Sequence, residues 1–267
     1  MIQTEDGKRS LDFYNQGLSR VPKSVWQKVE LEWLNLSENG LRSVSSKIGA
    51  LVHLTMLDLG HNHLASLPES LGNLTKLQFL YLSNNRFRDV PSSLWKLKSL
   101  RYLNITDNQL TSLPSDIGQL SNLIELRLYN NQLSALPDAV GGLTNLRELH
   151  LMGNQLTTLP AAIGKLKNLR KLMLEGNEIE ALPESLGRLK RLTDLDLRNN
   201  RLRRIPSSLG NLTSLRFLDL RANRLTKLPA GIAKLQNLEK LDLRWNKSLN
   251  HPTWLSKLEE RGCVIYS

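Results

Sequence analysis

The sequence predicts a single right-handed, curved α/β solenoid, with a parallel sheet on its concave face and short helical or 3-10 segments on its convex face. Three observations carry that expectation. Asparagine recurs at 39, 62, 85, 108, 131, 154, 177, 200, 223 and 246, ten positions at a constant spacing of 23. The pattern Leu-x-x-Leu-x-Leu-x-x runs into each asparagine, as Leu123, Leu126 and Leu128 run into Asn131. The pattern x-Leu-x-x-Leu-Pro follows, as in Leu133, Leu136 and Pro137, and then usually Ile or Leu, Gly, x, Leu.

Each part of the repeat has a physical reading. Leu-x-Leu alternation makes a short strand with one face inward, and the remaining leucines need a longer outer path to reach the same core. Proline suits the start of that outer segment, where its missing N–H costs little. The asparagine stands where the chain leaves the strand, and its amide can satisfy backbone groups of its own and neighbouring coils, which buried turns require. In chain order, residues 8–30 form a degenerate first repeat or cap, with Leu11, Phe13, Leu18, Val21 and Pro22 in place and Gln16 where asparagine would stand. Residues 31–252 hold the regular repeats, and 253–267 a capping helix and strand, all within one domain spanning 1–267. A solenoid exposes its last coil unless something covers it, and His251 to Leu258 reads as the amphipathic helix that does so. Cys263-Val264-Ile265-Tyr266 then adds a last strand, with Val264 and Tyr266 expected inward and Cys263 expected exposed or at an edge.

These repeats resemble the leucine-rich repeat family over about nine-tenths of the chain, and their Leu-Pro-x-x-Ile-Gly-x-Leu segments are most similar to the 23-residue Ras-group and bacterial intracellular type. The resemblance implies an interaction scaffold and says little about its client. Departures are local: Ser45 replaces the proline, and Trp26 and Trp95 replace the convex-side glycine. The family's cysteine-rich extracellular caps are missing, which implies an intracellular protein.

Composition agrees with that setting. The opening residues Met1 to Ser10 carry two acids and no apolar stretch, unlike a signal or transit peptide, and no window approaches a membrane span. The single Cys263 allows neither an internal disulfide nor a cysteine zinc site. A cytoplasmic protein is expected, although a dedicated secretion route stays open. The formal charge of +11 is concentrated late: residues 1–164 hold 15 Lys/Arg against 14 Asp/Glu, and residues 165–247 hold 19 against 9. An electrostatic partner should therefore engage the later repeats.

The constant period also says which side chains face out of the concave sheet. The first outward column contains Trp33, Met56, Phe79, Tyr102, Glu125, Glu148, Lys171, Asp194, Phe217 and Lys240. The second contains Asp58, Tyr81, Arg127, His150, Met173, Asp196, Asp219 and Asp242, and the third Tyr14, Tyr129, Met152, Glu175, Arg198, Arg221 and Arg244. Of only 14 aromatic residues, seven fall on these columns. Trp33, Met56, Phe79 and Tyr102 form an apolar stripe of the kind that marks interaction sites, and aromatic anchors dominate many interfaces. Lateral stacking within the sheet would explain the same stripe.

Asp-Leu-Arg recurs as Asp196-Arg198, Asp219-Arg221 and Asp242-Arg244, and Arg201, Arg224 and Lys247 add a second cation column that the aspartates alone do not balance. The expected function is recognition of a protein partner on the concave face through Trp33, Met56, Phe79, Tyr81, Tyr102, Tyr129, His150, Met152, Met173 and Phe217, with Arg198, Arg221 and Arg244 as the electrostatic end. Alternatives are the recognition part of a longer signalling or effector enzyme, and a binder of acidic polymers or nucleic acid. Nucleic acid is disfavoured because the aromatics that would stack bases lie mostly several coils from the arginines. The sequence has no phosphate loop, nucleophile elbow or histidine cluster, so no catalysis, cofactor or metal is expected.

Overall fold

The computed structural model describes residues 9–267. The expectations for the extreme N-terminus and for a repeat beginning at residue 8 lie outside the described residues in so far as they concern 1–8. Twelve three-residue strands stack in sequence order into one parallel sheet. They are β1 (Ser10–Asp12), β2 (Trp33–Asn35), β3 (Met56–Asp58), β4 (Phe79–Tyr81), β5 (Tyr102–Asn104), β6 (Glu125–Arg127), β7 (Glu148–His150), β8 (Lys171–Met173), β9 (Asp194–Asp196), β10 (Phe217–Asp219), β11 (Lys240–Asp242) and β12 (Val264–Tyr266). Every step from β1 to β11 pairs residues 23 apart, so the repeat period is also the strand register. Central leucines such as Leu34, Leu57 and Leu80 are fully buried, because a period of two sends them inward while their neighbours face out.

The outer segments are 3-10 turns of five residues. Proline precedes most of them, for example Pro68 at φ −71° and Pro114 at φ −74°. At the one regular coil without it, Ser45 substitutes by accepting the Lys47 N–H on its hydroxyl at 3.3 Å. Glycine lets these turns approach: a Cβ on Gly118 would meet the Ala139 carbonyl oxygen at 2.7 Å, and one on Gly187 the Ser208 carbonyl oxygen at 2.3 Å. Trp95 occupies the glycine position in its coil and is 1% exposed, and its indole N–H finds no partner. It lines a cleft of about 240 Å³ with Val90, Leu113, Pro114 and two aspartates, Asp89 and Asp116.

The asparagine column clamps coils together. In all ten cases Oδ1 accepts the N–H of the residue 21 earlier, and Nδ2 donates to the carbonyl 26 earlier. The residue just before each of these asparagines is in the left-handed region, from Glu38 at φ 55° through Gly153 at 61° to Trp245 at 63°.

The C-terminal cap departs from expectation in register. A 3-10 turn (Thr253–Leu255) runs into α1 (Ser256–Glu259), and β12 pairs Val264 with Lys240, Ile265 with Leu241 and Tyr266 with Asp242. Ile265 therefore takes the inward place, while Val264 and Tyr266 are exposed at 52% and 41%. Cys263 is buried, not exposed: its N–H donates to the Leu258 carbonyl of α1, which closes the chain tightly enough to put the thiol in the core. Among the described residues no helix is long and apolar enough to cross a membrane.

Candidate binding surface

The three outward columns lie side by side across the sheet. Register places Trp33 beside Met56, Met56 beside Phe79 and Phe79 beside Tyr102. Adjacent strands are about 4.8 Å apart, so each of these side chains shields the next. Phe79 is 38% exposed, whereas Trp33, Met56 and Tyr102 are half-buried. Tyr81 of the second column leans onto Tyr102, with ring centroids 4.9 Å apart. Burial raises both phenols above the ordinary tyrosine range, Tyr102 to about 12. Arg127 caps the patch, its guanidinium carbon 5.6 Å from the Tyr102 ring centroid. Tyr129, Met152 and Met173 are half-buried further along, and Tyr14 stands well exposed at the other end.

The middle of the surface is a charge cluster. Arg127 Nε bonds Glu125 Oε1 at 2.5 Å, and Lys171 Nζ lies 3.1 Å from Glu148 Oε1. His150 Nε2 lies 3.1 Å from Glu148 Oε2 and 3.8 Å from Glu125 Oε1. Burial pushes the Glu148 carboxyl up, but the bonds from Lys171 and His150 outweigh it and leave the group below the usual carboxylate range. Glu125, Glu148 and His150 offer ligand atoms all within 4.8 Å of one another, a donor set of a kind that suits a divalent cation. Arg127 and Lys171 already compensate its two carboxylates. No histidine cluster marks this trio in the sequence, because the partners of its single histidine are glutamates of the neighbouring outward column.

The arginine end is mostly self-paired. Arg221 makes a forked bond to Asp219, with Nη2 at 2.7 Å and Nε at 3.0 Å, and also faces Asp242 at 3.4 Å. Arg244 bonds Asp242 at 2.7 and 3.0 Å. Arg198 bonds Glu175 of the preceding coil and lies 3.2 Å from Asp196. Arg201, from the second cation column, pairs with Glu178 at 2.9 Å. Glutamates of neighbouring coils thus supply charge that the aspartate column alone could not.

Two of these carboxylates behave oppositely. Burial raises Asp196 to about 6, because a single imperfectly aligned arginine does not offset the loss of water or the nearby Asp219 and Glu175. Burial also pushes Asp242 up, yet the bonds from Arg244 and the charge of Arg221 bring it below the ordinary value. A dimple of about 190 Å³ opens beside them, lined by Met173, Asp194, Asp196, Phe217, Asp219 and Lys240. Phe217 carries the Arg216 guanidinium 5.1 Å from its ring centroid. Tyr266 joins the surface unexpectedly, with Lys240 and Arg244 at 5.0 and 4.9 Å from its ring. Its alternation with Ile265 could have been read either way, because no repeat continues beyond it to set the register.

Comparison with known proteins accords with this architecture. A leucine-rich repeat region model matches residues 88–176 and 161–261, and a leucine rich repeat model matches 29–87. No curated protein matches the sequence. Among solved structures, a Leptospira interrogans leucine-rich repeat protein is 28% identical, with a TM-score of 0.61 over 98% of this chain and 96% of that one. The plant peptide hormone receptor RGFR1, solved in complex with RGF2, is 31% identical, with a TM-score of 0.82 over 96% of this chain and 46% of that one. The Arabidopsis receptor kinase HAESA, solved with the peptide hormone IDA and the co-receptor SERK1, is 36% identical, with a TM-score of 0.72 over 86% of this chain and 42% of that one. The chain spans less than half the length of these two plant proteins. With family models covering most of its length and its coils built as the motif requires, the chain belongs to the leucine-rich repeat family.

Proposed function

We propose that this chain is a recognition module, not an enzyme, and that it binds a protein or peptide partner on its concave face. The observation that carries the reading is the continuous apolar stripe Trp33, Met56, Phe79 and Tyr102, held in register on four adjacent strands and widened by the packed Tyr81. Rigid aromatic side chains already held by their neighbours lose little entropy on binding and present large apolar area. Tyr129, His150, Met152, Met173 and Phe217 continue the contact surface along the same face. Arg198, Arg221 and Arg244 take part by exchanging their own carboxylates for those of the partner, an exchange that contributes more to orientation than to affinity. The peptide complexes of the similar plant receptors support a peptide or an extended protein segment as the occupant. A cytoplasmic setting, in which Cys263 stays a thiol, goes with this reading.

The test is an affinity capture from the source's own lysate with three baits: the intact chain, a Trp33→Ala/Phe79→Ala/Tyr102→Ala variant and an Arg198→Ala/Arg221→Ala/Arg244→Ala variant. A protein retained by the first bait, lost with the second and reduced with the third is the expected result. A retained protein indifferent to the aromatic substitutions would remove the concave reading.

A further inference from the structure

The excess positive charge does not lie on the concave columns. From coil six onward those columns hold seven carboxylates, at 125, 148, 175, 194, 196, 219 and 242, against six Lys/Arg, at 127, 171, 198, 221, 240 and 244. A large share of the excess sits instead along the edge where the chain enters its strands. Arg147 and Arg170 immediately precede β7 and β8, and Lys165, Lys167, Arg188, Lys190 and Arg191 occupy the turns leading into β8 and β9. All seven are exposed, and none forms an ion pair with a described carboxylate. Several are held by neutral acceptors: Lys167 Nζ donates to the Arg188 carbonyl at 3.3 Å, Lys190 Nζ to the Asn211 carbonyl at 2.6 Å, and Arg191 Nη1 to Asn168 Oδ1 at 2.6 Å. Such bonds fix the cations in place without neutralising them.

Two open clefts, each of about 610 Å³, lie on this edge. The first is walled by Arg101, Arg147, Asn122, Asn145 and Asn168, and the second by Lys167, Arg188, Lys190, Arg191, Ser208 and Asn211. The bond from Arg191 to Asn168 joins them into one surface. Glu184 is the one carboxylate in either lining; its Oε2 accepts the Ser208 N–H at 3.1 Å, and bonds from Ser208 hold the carboxyl below its ordinary range. Asn122 and Asn145 spend their Nδ2 groups on the Lys98 and Ser121 carbonyls, at 2.9 and 3.0 Å, which orients each amide and keeps its Oδ1 as an acceptor. The surface thus combines unpaired cations with fixed amide acceptors, and its complement is a ligand that carries both oxyanions and hydroxyl donors.

We infer that this strand-entry edge binds an acidic polysaccharide, whose sulfate or carboxylate groups sit among Arg147, Lys167, Arg188 and Arg191 while its hydroxyls donate to Asn122 and Asn145. No aromatic side chain lines either cleft, so bases of a nucleic acid would have no platform to stack on. Ile124 is the one large apolar residue in the linings, too little to insert into a membrane surface. The site is separate from the concave face and independent of the reading given to it.

Labelled heparin, uncharged dextran, duplex DNA and phosphatidylserine vesicles, each titrated with the full chain, test the assignment. Heparin is expected to bind, with affinity falling at least about tenfold between roughly 50 and 200 mM salt as counterion release weakens. Dextran is expected not to bind, and DNA and vesicles to bind at least about tenfold more weakly than heparin. Lys167→Glu/Arg188→Glu/Arg191→Glu should weaken heparin binding at least about tenfold. Arg203→Glu/Arg204→Glu/Lys227→Glu makes the same change in net charge at exposed positions beyond the strand exits and should leave it within about twofold. Asn122→Ala/Asn145→Ala, which alters no charge, should cost about threefold. Equal losses in the two charge variants, DNA or vesicle binding as tight as that of heparin, or no heparin binding at the lowest salt would overturn the proposal.

Discussion

Tyr81 and Tyr102 pack with their ring centroids 4.9 Å apart and their planes tilted by 38°, although they belong to different columns of adjacent strands. This diagonal contact ties the apolar stripe to the centre of the sheet. Truncating either ring should therefore loosen the other, and a double-mutant cycle of Tyr81→Ala and Tyr102→Ala followed by urea denaturation should give a coupling of about 0.5 to 1.5 kcal/mol. Additive losses would mean that the stripe is a set of independent side chains.

The asparagine clamp predicts a larger effect. Asn131 accepts the Leu110 N–H at 2.9 Å and donates to the Ile105 carbonyl at 2.9 Å, both in the preceding coil. Asn131→Ala leaves the buried Leu110 N–H without a partner and the Ile105 carbonyl with only the long 3.4 Å bond from Asn108 Nδ2, and should cost about 3 kcal/mol in urea denaturation. Because each coil contacts only its neighbours, the same variant should split the single transition into two halves on either side of the altered coil.

The left-handed position before each clamp asparagine predicts changes of opposite sign. Ala222 holds φ 51° with a Cβ, so Ala222→Gly should stabilise the chain by about 1 kcal/mol. Gly153 occupies the equivalent place at φ 61°, and an added Cβ would stand 2.5 Å from Asn130 Oδ1, so Gly153→Ala should destabilise by at least about 1 kcal/mol. Denaturation midpoints of the two variants check both signs.

Asp196 makes stability depend on pH in an unusual direction. Its folded-state carboxyl is raised to about 6 from an ordinary 3.8, so the folded chain holds this proton more tightly than the unfolded chain does. Between those two values the unfolded chain loses its proton first, and the contribution of this group to stability falls as pH rises, then stays low. Arg198 opposes the shift, while Asp219 and Glu175 add to it. Asp196→Asn retains an acceptor for the Arg198 N–H and should be more stable than the original by about 1 kcal/mol near neutral pH, and no more stable at about pH 3.5. Paired melts at the two pH values test this.

Trp95 separates bulk from polarity. Its indole fills a buried place but leaves the N–H without a partner. Trp95→Phe should be nearly neutral in thermal denaturation, because lost area and the removed unpaired donor offset each other, whereas Trp95→Ala should cost about 3 to 5 kcal/mol.

The strand triplets, clamp asparagines and outer turns were legible because leucine, asparagine and proline return at one period and each has a single structural use. The columns followed from the same period, so Trp33, Phe79 and Tyr102 could be put side by side from sequence. The diagonal contacts were not legible. A period gives the column of Arg221 but not that it reaches Asp242 of the next strand, and it does not bring His150 to Glu125. The left-handed position was hidden because Glu38, His61, Ala222 and Trp245 share no chemistry that would mark it. Cys263 and Tyr266 were misread because the terminal strand lies beyond the last repeat, where pairing with β11 and not periodicity sets the register.

The central claim, that the concave aromatic patch is where a partner docks, is tested most directly by photo-crosslinking. A benzophenone amino acid placed at Tyr81 on the sheet, or at Gln119 on the exposed outer turn, is irradiated in the source's own lysate. The account predicts a discrete protein adduct from position 81, lost when Trp33 and Phe79 are also replaced by alanine, and none from position 119. Adducts formed from position 119 alone, or adducts at 81 that survive loss of the aromatic neighbours, would contradict it.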